Sequence, residues 1–396
     1  MKKILIGSIA ASLFAAPVVD VVKVKSIWGV HVTSPVVKKI KWRKIHLYPQ
    51  TTLVLNDKKA NELHKNAKAK VAYIGALSDG VRLAIFLKWQ DPSKDLYKND
   101  ASDRYADGFA VQFASSAKDP KHLPYIGMGS DGRPVEILLH KAYKAIYEPN
   151  GHGDVAHQVN EHNTPYFGSS LQKFKKEVVR LGAHPYARAF VSEGFRSMSQ
   201  IKNKSFYFRP EMRYYSHLKQ WDAMVLKTFH DPYAKPAKGE YAIAVAIWDG
   251  KELERDGIKR LSSWIALRLP DGKNKELEQV VQERSHGNAA RGKKLFEANC
   301  ASCHRTRDFK SAPLYMAPGL ENIGGQATAA YLRESITDPD AVVVPGYNRN
   351  SHPNYPWYTL SNGKRHSMMP SFGSLGKRSI EDIVAYLQTQ KAEAEE

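Results

Sequence analysis

From about Val22 to Pro270, apolar positions recur in short alternating runs broken by turn residues, the period-two signature of half-buried strands. Val71–Gly75 and Val81–Trp89 flank Ser78-Asp79-Gly80, which predicts a hairpin. Further strands are predicted at Phe109–Phe113, Val135–Leu139, Phe206–Arg209, Met224–Phe229, Ala242–Trp248 and Trp264–Leu269. Their spacing predicts a mainly β antiparallel sandwich over residues 17–272. The polar stretch Asn150–Thr164 reads as a surface loop between strands, and no internal repeat is present. Pro270-Asp271-Gly272 closes the strand region, and Lys273–Arg284 predicts a short helix within a linker spanning 273–287. Beyond it the period becomes helical. Gly292, Leu295 and Phe296 share one face, and Ser379–Gln390 predicts a closing helix striped by Ile380, Ile383, Val384 and Leu387. Ser379 reads as its N-cap, with Asp382 at the capping-box position. A small all-α domain over 288–396 follows.

At 396 residues the chain exceeds one ordinary domain, and 42% hydrophobic with 25% charged residues excludes wholesale disorder. The net charge of +19 points to an acidic partner or surface. Lys2 and Lys3, the apolar run Ile4–Phe14, and Ala15-Ala16 follow the order of a secretory signal over 1–16, which predicts export. No later stretch approaches the roughly 20 apolar residues of a membrane span, so no integral span is expected in the mature chain. There are only two cysteines, so this is no disulfide-stapled secreted scaffold.

Both cysteines lie in Cys300-Ala301-Ser302-Cys303-His304, the C-x-x-C-H of covalent c-type haem attachment. Cys300 and Cys303 would each bond one vinyl group, and His304 would become the proximal iron ligand. A zinc site or redox dithiol fits less well because no second cysteine pair exists. Residues from about Asn288 to Lys391 resemble a class I cytochrome c domain, in which the first and last helices cross near the haem. That family often takes its sixth ligand from a Met-Pro pair, which falls on Met369-Pro370. The resemblance therefore implies Met369 as axial ligand, with Met368 its nearest rival. Met316 and His366 do not match the pattern, and Pro318-Gly319-Leu320 resembles the loop beside the proximal histidine.

Strands alone leave the large domain open to carbohydrate binding, adhesion or a second cofactor. Three of its segments carry a resemblance. They are Asp107-Gly108-Phe109-Ala110-Val111-Gln112-Phe113, then Tyr125-Ile126-Gly127-Met128-Gly129 with Pro134–Ile137, and Ala246-Ile247-Trp248-Asp249-Gly250 with Glu254, Arg255, Gly257, Lys259 and Ser262–Trp264. Together they are similar to the haem-b gamma subunits of the molybdenum enzymes that include ethylbenzene, dimethylsulfide, chlorate and selenate oxidoreductases. The resemblance implies an antiparallel sandwich holding one haem b between a Met and a Lys, here Met128 and Lys259. Lys251, Lys141, Met212 and Met224 are the fallback ligands. A lysine binds iron only as the neutral amine, so its pKa must fall far from about 10.4.

Fusion to a C-terminal cytochrome c is similar to the gamma subunits of nitrite oxidoreductases. That likeness implies a molybdenum bis-pterin alpha subunit, an iron–sulfur beta subunit, and electrons passing from clusters to haem b, haem c and a soluble cytochrome c. It implies the periplasm, or an equivalent compartment such as the anammoxosome lumen, and a chain that is itself non-catalytic.

Other readings compete. Trp248 and Trp264 would serve a polysaccharide-binding sandwich with a tethered cytochrome c. A catalytic cytochrome, such as a peroxidase, would need an open iron position and hence displacement of Met369. His152, His157 and His162, with Asp154 and Glu161, lie in one loop and suggest either a metal site or, more simply, a solvated loop. Nucleic-acid binding rests on charge alone and conflicts with export and the haem motif.

Overall fold

The structure is a computed structural model that describes residues 18–54, 57–101, 104–145, 184–195, 197–202, 206–273 and 275–395. The predicted secretory signal over 1–16 and the surface loop predicted at Asn150–Thr164 lie outside the described residues. One layer of the large domain runs β10 (Ser199–Gln200), β9 (His184–Ser192), β8 (Val135–Ala145), β7 (Gly108–Ala114) and β13 (Glu240–Trp248). The other runs β2 (Arg43–Pro49), β3 (Lys70–Ser78), β4 (Arg82–Gln90), β12 (Gln220–Thr228) and β11 (Phe208–Tyr215). These neighbours are antiparallel, as the alternating pattern predicts, and α1 (Lys58–Asn66) and the ribbon β5 (Leu96–Ala101)–β6 (Arg104–Ala106) lie outside this strand order.

The two layers are joined along one side. β14 (Arg260–Leu261) bridges β13 to β2, and β15 (Ile265–Arg268) bridges β13 to β1 (Val18–Lys23), which continues onto β3. β1 is parallel to both of its partners, the exception in an otherwise antiparallel sandwich. β1, β2 and β9 are not among the predicted strands. β2 buries Ile45, Leu47 and Pro49 but turns Arg43, Lys44 and His46 outward, so its charges mask the period.

β13 is buried along its whole length, so alternation acts between two cores rather than between core and water. Tyr241, Ile243, Val245 and Ile247 face the interlayer core with Phe109, Val111 and Phe113. Ala242, Ala244 and Ala246 face the opposite way, where they join Ala110, Tyr125, Ile126, Trp248 and Trp264. That second core is completed by Leu277 and Val281 of α2 (Glu276–Gln282) and by Val344, Tyr347 and Trp357 from beyond it. The helical domain thus covers an apolar sheet face.

In the helical domain, α3 (Ala289–Asn299) begins at Asn288, whose side chain accepts from Arg291 N at 2.9 Å. α4 (Ile323–Gln326), α5 (Ala329–Thr337) and the hairpin β16 (Tyr358–Ser361)–β17 (Lys364–Ser367) lead to α6 (Gly376–Leu387). α3 crosses α6 with Phe296 against Tyr386, ring centroids 5.2 Å apart. The closing helix starts at Gly376 rather than after Ser379. Asp382 is therefore not a capping-box residue; its buried carboxylate accepts from Asn288 N at 2.5 Å and Arg291 Nε at 2.8 Å, tying the two helices together.

Candidate functional site

The cysteine motif sits on the turn that ends α3. Cys300 N donates to Phe296 O, and Cys303 N and His304 N both donate to Cys300 O, which wraps the two thiols and the imidazole around one turn. Cys303 is exposed and Cys300 half-buried, and both are free thiols. Burial, then the neighbouring Cys303, pushes the Cys300 thiol up to about 11. His304 Nδ1 lies 3.0 Å from Pro318 O, so Nδ1–H donates and Nε2 keeps its lone pair. Burial lowers the His304 pKa and favours the neutral ring. Two thiols and a neutral, oriented imidazole fit a covalently attached haem.

Just after β17, Met369 is half-buried and its N donates to Ser367 Oγ at 3.1 Å. Its rival Met368 is 55% exposed. His366 is committed elsewhere, paired through Nδ1 with Asp340 at 3.0 Å on the surface. Met316 is half-buried in the loop before Pro318.

In the sandwich, the Trp-Asp-Gly segment makes a tightly wired turn. Asp249 accepts from Lys251 N, Glu252 N and Lys70 Nζ, and its own N donates to Glu254 Oε2. Arg260 Nη1 donates to Glu254 Oε1 at 2.7 Å. Gly250 has no room for a side chain, since a Cβ would lie 2.0 Å from Tyr105 O. Gly250 N donates to Asp107 Oδ1, which joins this turn to the Asp107-Gly108 segment. Asp91, Asp107 and Asp249 converge here around Lys70.

This turn holds Lys259 inside the protein. Two other buried lysines are neutralised: Lys70 meets Asp249 at 2.6 Å, and Lys227 meets Glu136 at 2.6 Å and Asp231. Lys259 is 4% exposed, yet among the described residues it has no carboxylate within ion-pair distance. Its Nζ donates to Asp256 O at 3.4 Å and lies over the Trp248 ring at 5.9 Å, while the charges of Asp256 and Glu254 act on it from beyond ion-pair distance. Burial lowers its pKa to about 8. Such a group is costly as an ammonium and suited to act as a neutral amine donor.

Met128 lies on the turn Gly127-Met128-Gly129, with Gly129 N donating to Tyr125 O at 2.9 Å. Its φ of 92° is a conformation that a side chain other than glycine rarely adopts. Trp264 anchors this loop through Nε1 to Pro124 O at 3.1 Å, and Gln112 Nε2 donates to Ile126 O at 2.9 Å.

Gln50 links the two loops. Its N donates to Lys259 O at 2.9 Å, and its Nε2 is so close to Gly127 that a Cβ there would lie 2.7 Å away. Gln50 is fully buried and its Oε1 has no donor among the described residues. A buried lysine without an ion-pair partner on one loop and a thioether held in an unusual backbone conformation on the other, joined through Gln50, are donors of the kind a haem iron takes. The fallback ligands sit elsewhere. Met224 is buried with Val24, Ile27 and Phe86, Met212 is on β11, Lys251 is exposed, and Lys141 lies over the Tyr186 ring at 5.8 Å.

A family profile described as ethylbenzene dehydrogenase matches residues 34–260, more than half of the chain. The chain belongs to the ethylbenzene dehydrogenase family. A second profile, cytochrome c, matches residues 289–391. The chain is therefore an electron-transfer haem subunit of a molybdenum enzyme, with covalent haem c in its C-terminal domain. No curated protein matches it. Among solved structures, a carbohydrate binding module family 9 from Caldicellulosiruptor kristjanssonii in complex with cellotriose is 6% identical with a TM-score of 0.31, covering 65% of this chain and 95% of that one. The same module in complex with glucose gives 6% and 0.30, covering 65% and 96%. A likeness at that level carries no functional inference.

Sequence reading did not reach the segment Tyr48–Thr52, which touches every part of this region. Asn322 Nδ2 donates to Pro49 O at 3.0 Å, Gln326 Nε2 to Tyr48 O at 3.1 Å, and Gly319 abuts Thr51 O. These contacts span more than 260 residues of chain and have no local signal. Trp248 and Trp264 are buried, 8% and 1% exposed, and so form no surface aromatic platform.

Proposed function

We propose that the chain is the dihaem gamma subunit of a nitrite oxidoreductase-like complex. It would carry electrons from the iron–sulfur beta subunit of a molybdopterin alpha subunit through haem b and haem c to a soluble cytochrome c. The observation that carries the haem-b assignment is Lys259, buried without an ion-pair partner among the described residues, with Gln50 bonded to its backbone and packed against Gly127 of the Met-Gly turn. Each haem, when bound, supplies a one-electron carrier.

The chain's own residues hold and tune. Lys259, kept dry by its loop, offers a neutral amine, and Met128 offers a thioether from a turn fixed by Trp264 and Gln112. Cys300 and Cys303 anchor covalently. His304 would ligate through Nε2 while Pro318 O fixes its tautomer, and Met369 would supply a second iron ligand. The sequence signal and the needs of haem c maturation support the periplasm or an equivalent lumen, and the net charge of +19 supports docking to acidic partners through long-range attraction.

The test is haem type and stoichiometry in protein matured in a cytochrome c-competent host, by acid-acetone extraction and pyridine haemochrome spectra of both fractions. One extractable haem b and one covalent haem c per chain are expected. Covalent haem alone, with haem supplied in excess, would reject the sandwich as a haem domain.

A further inference from the structure

The two domains meet ring to ring. Tyr125, three residues before Met128, lies 5.7 Å from Tyr347 of the cytochrome domain, ring centroid to centroid at 67°. Tyr347 lies 5.3 Å from Trp357 at 82°. Trp357 O then accepts from Met368 N at 2.9 Å, one residue before Met369. All three rings are buried. The run therefore extends without a break from the Met128 turn to the backbone of the Met369 loop.

We propose that Tyr125, Tyr347 and Trp357 form the electron path between the two haem sites. The proposal rests on the two-haem reading above. Tunnelling weakens steeply as a non-bonded gap widens, and close packing holds the two ring-to-ring gaps of this run to van der Waals contact. A competing crossing runs from His304 through Pro318 and Gly319 to Thr51, and from Gln50 N to Lys259 O. It passes through saturated backbone, whereas the ring run offers delocalised orbitals. The step is a one-electron transfer in which the haem of the sandwich is oxidised and that of the cytochrome domain reduced. No bond is made or broken, and no proton leaves the rings. Tyr125 OH is held against Thr52 Oγ1 at 2.8 Å, and burial raises the pKa of both phenols.

Tyr331 provides the control. It belongs to the cytochrome domain and lies 5.9 Å from Tyr125, ring centroid to centroid, and has no ring contact with Trp357 among the described residues. Flash photoreduction of the two-haem protein, followed at the separate visible bands of the haems, reads their equilibration rate. Haem ratio, low-spin spectra and reduction potentials are measured on the same samples. Tyr347→Leu and Trp357→Leu should each slow equilibration about tenfold or more, while Tyr347→Phe stays within about twofold of wild type. Tyr331→Leu should leave the rate unchanged.

Wild-type rates in both leucine variants at full haem content would overturn the path and leave the Gln50–Thr51 crossing. Equal slowing in Tyr331→Leu would also overturn it, since loosened docking would then be the cause. Absence of extractable haem b from the wild-type chain would reject the two-haem reading itself and the path with it, a result distinct from unchanged rates at full loading.

Discussion

Arg133 of the sandwich grips Glu334 of the cytochrome domain in a two-pronged fork, with Nη1–Oε2 and Nη2–Oε1 both at 2.7 Å. His122 Nδ1 reaches the same carboxylate at 2.6 Å. Both fork partners are largely shielded, and planar pairing of this kind is among the stronger polar contacts. Arg133→Ala should destabilise the chain by about 2 kcal/mol and Arg133→Lys by roughly 1 kcal/mol, read by urea unfolding. A loss within error for both variants would mean that apolar contacts alone dock the domains.

Gly292 lies where α3 crosses α6, and a Cβ there would sit 1.8 Å from Asp382 O. The obstacle is backbone, so the helices must part. Gly292→Ala should cost about 3 kcal/mol or more and lower the yield of covalently loaded protein, which thermal unfolding and haem quantitation would register. Unchanged melting would contradict this crossing geometry.

The proposed ligand role of Lys259 carries a cost in stability. Lys259→Leu should raise the unfolding free energy of the haem-free chain by about 1–3 kcal/mol, because it removes a buried cation without an ion-pair partner. The same variant, and Met128→Ala, should lose extractable haem b while retaining covalent haem c. A low-spin, unshifted haem b in both variants would sink the ligand assignment.

Cys300→Ala should abolish or sharply reduce covalent attachment, since one thioether would remain at most. The measure is the fraction of haem left in the protein after acid-acetone extraction. An undiminished fraction would contradict the proposed anchoring.

Asp107 is pushed up from 3.8 to about 8, by burial first and by the charge of Asp91 second. Its folded pKa lies above its unfolded value, so the fold binds the extra proton between roughly pH 4 and 8. Its contribution is fully present below that window and lost as pH rises through about 8. Stability should therefore fall from pH 5 to pH 9, and Asp107→Asn should flatten that slope in urea unfolding at several pH values. An equal slope in the variant would assign the proton to another group.

Local patterns identified the central strands of both layers and the two helices that cross in the cytochrome domain. The hairpin around Ser78-Asp79-Gly80, β7, β8, β12 and β13 follow period two, and α3 and α6 follow the helical stripe, because side-chain direction along one element depends only on its own spacing. The haem c candidates Cys300, Cys303 and His304 were equally legible, since covalent chemistry demands adjacent residues. Met128 and Lys259 were reached only through resemblance, and their setting stayed hidden. Nothing in the order of residues announces that Gln50 joins their loops, that Asp382 ties α3 to α6 instead of capping its own helix, or that Ala242, Ala244 and Ala246 face a second core.

The sequence by itself determined the two kinds of architecture, the haem-attachment chemistry and the excess positive charge, because each is written in short-range spacing or composition. Only the tertiary structure decided that Lys259 is buried without an ion-pair partner and how Tyr125 meets Tyr347. Those depend on chain segments hundreds of residues apart arriving at one place, and burial and ring contact exist only once they have.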